Sequence, residues 1–410
     1  MKNTFVINYG HMDVGGIENY ASQVIELGLE QGCRVIWLCD AQYSLSSVYA
    51  PLMNDPRVEK CRCSNHGMTW FRHEPLHFTE EENVIIFSFS FFDQARALQL
   101  KNEMPDATIL PLLLVPHFLG SDLYPEKAFH GFGRTCVCRL AGKLYQQWLQ
   151  EGLLYAFSLR HLDVIEKNYG IVIERKQERI VPLLRDGSPF SEEEVAARYD
   201  AADFTIISAG RLEFPHKGFV LGLLREYARL KKKYPFLKLK IIGEGEGEAV
   251  LRKEISEMPA QTAADVQLCP MVPFEVLCEE FKKAKLNISV AGCASAAAKL
   301  GVLTLPARNY HYDCEVYGFF PESRACTTED KPGEPVAPYI ERVIHMTKEE
   351  YVQLSRKAYE TMAVKHPDRA HFLKLSDAGR GYSLSEKTLR QLYGILMAQR
   401  LLYKLHLLKE

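Results

Sequence analysis

Two cationic side chains, Arg211 and Lys217, lie in a short segment bounded by Gly210 and Gly218. The segment follows an apolar run, Phe204–Ser208, that predicts a β-strand. Beyond the carboxyl end of such a strand, a guanidinium can bind two oxygens of one phosphate, while an ammonium acts as a point charge. The two cations could therefore hold a diphosphate. The alternative is that both are ordinary solvated surface residues.

Two glycine-rich turns could also admit a ligand. Gly15 and Gly16 stand between a predicted strand and a predicted helix, and Gly243, Glu244 and Gly245 occupy the same kind of position later in the chain. Glycines let the backbone approach a ligand closely, and the helix that follows offers free amides and a positive dipole end. Both turns therefore suit a phosphate.

Simpler explanations exist for each turn. The first also fits a tight connection with nothing bound, and the glutamates of the second are typical of a helix N-terminus and would repel a phosphate unless they met hydroxyls. The first turn does not match G-x-G-x-x-G, and Asp40 is its one candidate ribose partner, so the sequence does not favour a nicotinamide cofactor.

Short apolar runs alternate with amphipathic stretches, which predicts an α/β protein with mostly parallel sheets. In the first half the pattern predicts strands at Phe5–Asn8, Arg34–Leu38, Val84–Ser88, Ile109–Leu114, Leu154–Phe157 and Arg179–Val181, and helices at Ile17–Gln31, Phe92–Glu103, Arg139–Glu151 and Arg160–Tyr169. A second series has strands at Phe204–Ser208, Leu237–Ile242, Val266–Leu268, Leu286–Val290 and Val302–Leu305, with helices near Gly218–Lys233, Glu246–Glu257, Phe274–Lys285 and Ser295–Leu300.

This pattern predicts two doubly wound domains in the 410-residue chain. The first covers residues 1–182 and the second residues 191–382, with a linker at 183–190 that contains Asp186-Gly187-Ser188-Pro189. We expect ligands to bind at the carboxyl ends of the strands, in a cleft between the domains.

Composition limits the possible partners and compartment. Lys and Arg number 50 against 52 Asp and Glu, a formal charge of −2, so we expect no nucleic-acid partner. The 11 cysteines include the C-x-C pairs Cys61/Cys63 and Cys136/Cys138, with no second pair placed to complete a zinc site, and we expect reduced thiols and no metal. Without a signal-peptide pattern or a run long enough to span a membrane, we expect a cytoplasmic protein.

Three motifs together resemble family-four glycosyltransferases of the GT-B architecture. They are Gly15-Gly16-Ile17-Glu18, Gly210-Arg211-Leu212 with Lys217-Gly218, and Ile242-Gly243-Glu244-Gly245, in this order along most of the chain. The resemblance implies two Rossmann-like domains facing across a cleft, with a C-terminal helix at 383–410 that crosses back to the first domain. It also implies a nucleotide-diphosphate-sugar donor on the second domain, an acceptor on the first, and transfer with retention and without a cofactor or a required metal.

The resemblance also assigns roles to individual residues. Arg211 and Lys217 would neutralise the diphosphate leaving group, and His117 would contact a sugar, although a histidine bonded only to backbone fits its position equally well. Donor-binding positions are those of the glycine turns and of one later helix: Gly15, Gly16, Gly210, Gly243, Glu244, Gly245, Ser295 and Ala296. Among these, Gly16 would approach the donor phosphates.

The sequence departs from the family at one point. Relatives carry two glutamates eight positions apart, and the corresponding residues here are Ile288 and Ala296. Ser295 could still cap the helix, and the helix amides could still receive a phosphate. Loss of the carboxylates leaves three outcomes: another residue substitutes, Glu315 being one candidate; the donor differs; or catalysis has been abandoned.

The resemblance thus implies a hexosyltransferase-type enzyme that moves a sugar from a nucleotide donor such as a UDP- or GDP-sugar to a glycan or glycolipid hydroxyl, in bacterial surface polysaccharide synthesis. Two alternatives are a catalytically silent relative with a regulatory or scaffold role, and an enzyme of the same fold that uses another nucleotide-activated substrate. The basic and apolar residues of 383–410 also allow peripheral contact with the inner face of the plasma membrane at a lipid-linked acceptor.

Overall fold

The computed structural model describes residues 2–13, 15–66, 70–89, 93, 96–97, 100, 103–104, 108–113, 132–150, 154–156, 159–180, 189–320, 322, 332–363, 391 and 394. Two compact units divide the chain: Met1–Asp186 with His366–Glu410, and Gly187–Lys365. The predicted C-terminal helix at 383–410 lies outside the described residues, apart from positions 391 and 394. Within the described part of the chain, every helix is too short or too polar to cross a bilayer.

The first unit contains a seven-stranded sheet with strand order β4-β3-β2-β1-β5-β6-β7. Its strands are β1 (Lys2–Asn8), β2 (Arg34–Asp40), β3 (Val58–His66), β4 (Trp70–His73), β5 (Glu82–Ser88), β6 (Thr108–Leu113) and β7 (Tyr155–Ala156). All neighbouring strands are parallel except β3 and β4, which are antiparallel. Phe5, Val6 and Ile7 are fully buried because apolar clusters cover both faces of the sheet, which is why β1 is a continuous apolar run.

The helices of this unit are α1 (Gly16–Glu30), α2 (Ala50–Met53), α3 (Phe132–Gln150) and α4 (Leu159–Tyr169). The predicted strand Arg179–Val181 is wrong: Lys176–Arg179 form a 3-10 turn, and Ile180 makes a single bridge to Ala156. The hairpin of β3 and β4 was not predicted. Most of the predicted helix Phe92–Glu103 lies outside the described residues.

The second unit contains a five-stranded parallel sheet with strand order β10-β9-β8-β11-β12. Its strands are β8 (Phe204–Ala209), β9 (Leu237–Ile242), β10 (Val266–Cys269), β11 (Leu286–Ser289) and β12 (Leu303–Pro306), and a short antiparallel pair follows, β13 (Glu315–Val316) and β14 (Glu334–Pro335). Its helices are α5 (Glu192–Asp200), α6 (Phe219–Lys231), α7 (Gly247–Ser256), α8 (Ala260–Ala263), α9 (Phe274–Lys283), α10 (Ala291–Lys299), α11 (Ala337–Ile344) and α12 (Lys348–Ala363).

Helix α10 begins earlier than the sequence predicted. We expected a helix at Ser295–Leu300 with Ser295 as a possible cap, but the helix begins at Ala291, directly after Val290. Ser295 lies in the second turn, where its Oγ donates to the carbonyl oxygen of Ala291 at 3.3 Å. The capping role of Ser295 is therefore wrong, because its side chain bonds back along the helix.

The second sheet opens at its carboxyl edge between β8 and β11. These strands pair at Leu286 with Ile206 and at Asn287 with Ile207, and beyond that point the Ala209 amide donates to the Ser289 hydroxyl at 3.0 Å. Connections from β8 lead to β9 on one side, while β11 and β12 lie on the other. Such a switch point leaves a crevice outside the strand ends where ligands of doubly wound sheets bind.

Candidate functional site

A small depression lies at the carboxyl end of β8. Its lining includes Ser208, Gly210, Arg211, Leu212 and Lys217. The structure therefore brings the two predicted cations together at the switch point of the second sheet. Ser208 is 1% exposed, and within the described part of the chain its Oγ has no hydrogen-bond partner.

The Lys217 ammonium lies directly against Gly210. A Cβ atom at position 210 would collide with Lys217 Nζ, and Gly210 has a φ of 145°, so a larger residue there would be strained and would displace the ammonium. Burial lowers the pKa of Lys217, because it leaves the charged form without solvation. Among the described residues, none accepts a hydrogen bond from Lys217 Nζ or forms an ion pair with it.

A carboxylate and an imidazole accompany the cations. Arg211 Nη1 lies 3.1 Å from Glu213 Oε1, and His216 Nδ1 lies 3.8 Å from Glu213 Oε2. The His216 ring packs against Tyr310 with ring centroids 4.9 Å apart. Burial lowers the pKa of His216 to about 4, so this imidazole is neutral at pH 7.

The turn after β9 packs against the segment that carries the cations. The Leu212 amide donates to the Glu244 carbonyl at 2.8 Å, and the Gly247 amide donates to the Leu212 carbonyl at 2.8 Å. A Cβ at Gly243 would collide with the Gly210 carbonyl, and one at Gly245 would lie 2.6 Å from the Leu212 carbonyl. In this structure the predicted donor-binding glycines serve close packing of two loops.

Glu244 is exposed, and its Oε1 accepts a hydrogen bond from the Met271 amide at 3.1 Å. The next glutamate, Glu246, precedes α7 without a side-chain capping bond, and Glu248 pairs with Arg252 at 2.6 Å. These carboxylates have partners or face solvent, and the predicted contact of Glu244 with a nucleotide stays a prediction.

The first turn of α10 interacts electrostatically with the same ammonium. The charge of Lys217 and the thiol of Cys293 each influence the pKa of the other, and burial raises the pKa of Cys293. Ala296 is half-buried on α10, whereas Ile288 is fully buried in the apolar core of the sheet. A carboxylate at position 288 would thus lie among apolar side chains.

Glu315, the suggested substitute, is bound elsewhere. Its Oε2 lies 2.7 Å from Arg308 Nη1, and its Oε1 lies 3.9 Å from His311 Nδ1. His117 lies outside the described residues. Its predicted contact with a sugar therefore stays a prediction.

In the first unit, a carboxylate already faces the predicted phosphate site. Glu18 is 8% exposed, and a Cβ at Gly15 would collide with its carboxylate, while Tyr9 Oη donates to Glu18 Oε1 at 3.2 Å. The negative side chain is stabilised at the positive end of α1. Open space surrounds Gly16, and a phosphate there would meet the Glu18 carboxylate.

A chain of polar contacts that the sequence did not predict follows β1 and β2. His11 Nε2 lies 3.0 Å from Asp40 Oδ2, and Arg96 Nη2 lies 2.8 Å from Asp40 Oδ1. The Ser44 amide donates to His11 Nδ1 at 3.1 Å, so this nitrogen is unprotonated and Nε2 carries the proton given to Asp40. Asp40, the candidate ribose partner, is thus held by two side chains.

Several solved structures are similar to this chain over most of its length. HepE from Anabaena in complex with UDP-glucose has a TM-score of 0.57 at 13% identity, over 92% of this chain and 99% of that one. The complex of HepE with UDP and glucose has a TM-score of 0.56 at 14% identity, over 92% and 98%. A glycosyltransferase from Rickettsia africae has a TM-score of 0.53 at 12% identity, over 96% and 98%.

No model of a protein family matches the sequence, and no curated protein matches it. At the low identities of the structural matches, the likeness shows the fold, which is GT-B with a Rossmann-like sheet in each unit. The α/β class and the GT-B architecture predicted from the sequence are confirmed. Family four, the role of each residue and the reaction are not tested by a likeness of fold.

Proposed function

We propose that this protein is a glycosyltransferase whose second unit binds a nucleotide-diphosphate sugar at the carboxyl end of β8. One observation carries the proposal: the partly buried Lys217 ammonium has no hydrogen-bond or ion-pair partner among the described residues, and it lies beside Arg211 at the switch point of the sheet. A buried cation without a partner is costly to the folded protein, and a bound diphosphate would compensate it. The UDP and UDP-glucose found in HepE, which has a similar fold, also support a nucleotide-sugar ligand.

The proposed mechanism follows from the negative charge that develops on the diphosphate as it leaves the sugar. When the bond between the anomeric carbon and the phosphate oxygen breaks, the oxygen keeps the electron pair, and an acceptor hydroxyl bonds to the carbon and loses its proton. Lys217 and Arg211 would stabilise the departing diphosphate more than the intact donor, which lowers the barrier. The cations would thus act on the leaving group without a metal.

The finer parts of the proposal rest on the resemblance of the motifs to family four. They are a hexosyl donor, transfer with retention, and a glycan or lipid-linked acceptor bound mainly by the first unit. A role in bacterial surface polysaccharide synthesis, at the cytoplasmic face of the membrane, belongs to the same proposal. The one observation that favours a catalytically silent relative is the loss of both glutamates, at Ile288 and Ala296.

Calorimetric titration with UDP, GDP and their sugars separates these functions. Binding of one sugar nucleotide with slow hydrolysis supports transfer. Binding without turnover over a broad panel of acceptors supports the silent relative. The absence of binding to every nucleotide would contradict the proposal.

Substitution of the two cations tests the mechanism. In Arg211→Ala and Lys217→Ala we expect turnover to fall by about 100-fold or more, and acceptor affinity to change little, because the lost contacts act on the leaving group. Glu226→Gln on the outer side of α6, where Glu226 pairs with Arg229, serves as a charge-changing control. Turnover that survives both alanine substitutions would exclude the leaving-group role.

A further inference from the structure

Glu213 is a carboxylate beside the two cations. One oxygen, Oε1, pairs with Arg211 at 3.1 Å, while Oε2 lies 3.8 Å from His216 Nδ1. Because 3.8 Å is longer than a hydrogen bond, Oε2 can still accept a donor. The Glu213 side chain is 41% exposed, so a ligand can reach it.

Glu213 is therefore one negative group beside two positive ones, Arg211 and Lys217. His216 adds no charge, because burial lowers its pKa to about 4. Glu213 also acts on Lys217, whose pKa its charge tends to raise. A ligand that bound both cations would lie close to this carboxylate.

A sugar nucleotide and a nucleoside diphosphate would interact differently with the Glu213 carboxylate. Both carry ribose hydroxyls, but only the donor also offers the hydroxyl groups of its sugar, which can donate to Oε2. The product of transfer has lost the sugar and carries an additional negative charge on its terminal phosphate, whose second pKa is about 6. A carboxylate beside the diphosphate thus favours the donor and repels the product.

We infer that Glu213 distinguishes donor from product: it accepts a hydroxyl of the sugar that is to be transferred and weakens the binding of the nucleoside diphosphate left after transfer. The inference rests on the function proposed above and gives the site a carboxylate in place of those missing at positions 288 and 296. It also gives product release a driving force, because breaking the sugar–phosphate bond creates the charge that Glu213 repels.

Calorimetry of the full-length protein with UDP and with UDP-glucose, and with GDP and GDP-mannose if the guanine nucleotides bind instead, tests the inference. In Glu213→Gln we expect the diphosphate to bind about 3- to 10-fold more tightly, because one repulsive charge is gone. We expect the sugar nucleotide to bind about 10-fold more weakly, because a charged acceptor of its hydroxyl is gone. Opposite changes in these two affinities would show that Glu213 distinguishes the sugar nucleotide from the diphosphate.

Two variants complete the test. Glu213→Asp keeps the charge, and its diphosphate affinity should stay within about threefold of wild type. Glu226→Gln removes an exposed carboxylate that also pairs with an arginine, and both affinities should stay unchanged. Melting temperatures that match wild type would confirm that each variant is folded.

The outcomes distinguish the inference from the function on which it rests. If wild type binds none of these nucleotides, the proposed function fails and the inference fails with it. If wild type binds them and Glu213→Gln weakens diphosphate and sugar nucleotide equally, Glu213 only orients Arg211, and the inference alone is overturned. Unchanged affinities in Glu213→Gln would overturn it as well.

Discussion

Two lysines of the second unit differ in what surrounds their ammonium groups. Lys231 Nζ donates to the Leu237 carbonyl at 2.7 Å, to Asp265 Oδ2 at 2.7 Å, and to the Pro235 carbonyl. Lys217 Nζ has no such partner among the described residues, and burial lowers its pKa. Lys231 therefore stabilises the fold, whereas Lys217 is held in place at a cost in stability, as binding residues often are.

The two lysines should respond oppositely to replacement by methionine. We expect Lys217→Met to raise the free energy of unfolding by about 1 kcal/mol, because an uncompensated charge is removed. We expect Lys231→Met to lower it by about 3 kcal/mol, because Asp265 and the carbonyl oxygens lose their partner. Urea denaturation followed by tryptophan fluorescence measures both.

We expect nucleotide affinity to depend on Lys217 and not on Lys231. Lys217→Met should weaken UDP binding by about 10- to 100-fold through loss of a charge-assisted contact, while Lys231→Met, once shown to be folded, should bind as wild type does. Loss of stability in Lys217→Met, together with unchanged affinity, would show that Lys217 is a structural residue.

At this scale the sequence predicted the residues that stand at strand ends and missed those brought together by distant loops. Arg211 and Lys217 could be predicted because they directly follow a strong apolar run. The approach of Cys293 to Lys217 depends on how α10 leaves the sheet, and the contact of His11 with Asp40 joins the loops after β1 and β2. Neither has a local signal in the sequence.

The starts of helices also differ in whether a local sequence pattern predicts them. The Ser191 side chain accepts a hydrogen bond from the Glu194 amide at the start of α5, a Ser-x-x-Glu spacing that the sequence contains and that could have predicted this helix. The start of α10 has no such signal, because Val290 precedes it and the first turn is Ala291-Gly292-Cys293. Its prediction therefore began one turn late.

Two glycines at strand-to-helix turns differ in how much space their surroundings leave. Gly245 has a φ of 146° and lies against the Leu212 carbonyl, whereas Gly16 has no neighbour that a Cβ would touch. We expect Gly245→Ala to lower the free energy of unfolding by about 3 kcal/mol, and Gly16→Ala to raise it by about 0.5 kcal/mol. Chemical denaturation of the two variants provides the comparison.

Gly16→Ala also tests the phosphate contact predicted for this residue. Because the Glu18 carboxylate already lies at the start of α1, we expect UDP affinity to stay within about twofold of wild type. A loss of affinity in a variant that is as stable as wild type would restore the predicted contact between Gly16 and the donor phosphates.

Each unit, considered as a whole, has a switch point in its sheet, but their charges are arranged differently. In the first unit the described polar groups near the strand ends have side-chain partners: Asp40 contacts His11 and Arg96, and Glu18 bonds to Tyr9. In the second unit Lys217 is partly buried and forms no ion pair or hydrogen bond with the described residues, with Glu213 acting on it only as a nearby charge. With a net charge of only −2, the protein has no general field for anions, so the location of nucleotide binding depends on these local arrangements.

Hydrogen exchange of the intact protein, measured by mass spectrometry with and without UDP, would locate the nucleotide. We expect UDP to slow exchange at 210–218 and at the first turn of α10, because a bound diphosphate orders the segment that holds Lys217 and accepts from free helix amides. We expect little change at 16–18, since the Glu18 carboxylate already lies against Gly15 at the start of α1. Protection at 16–18 without protection at 210–218 would place the nucleotide on the first unit and exclude the diphosphate role of Lys217.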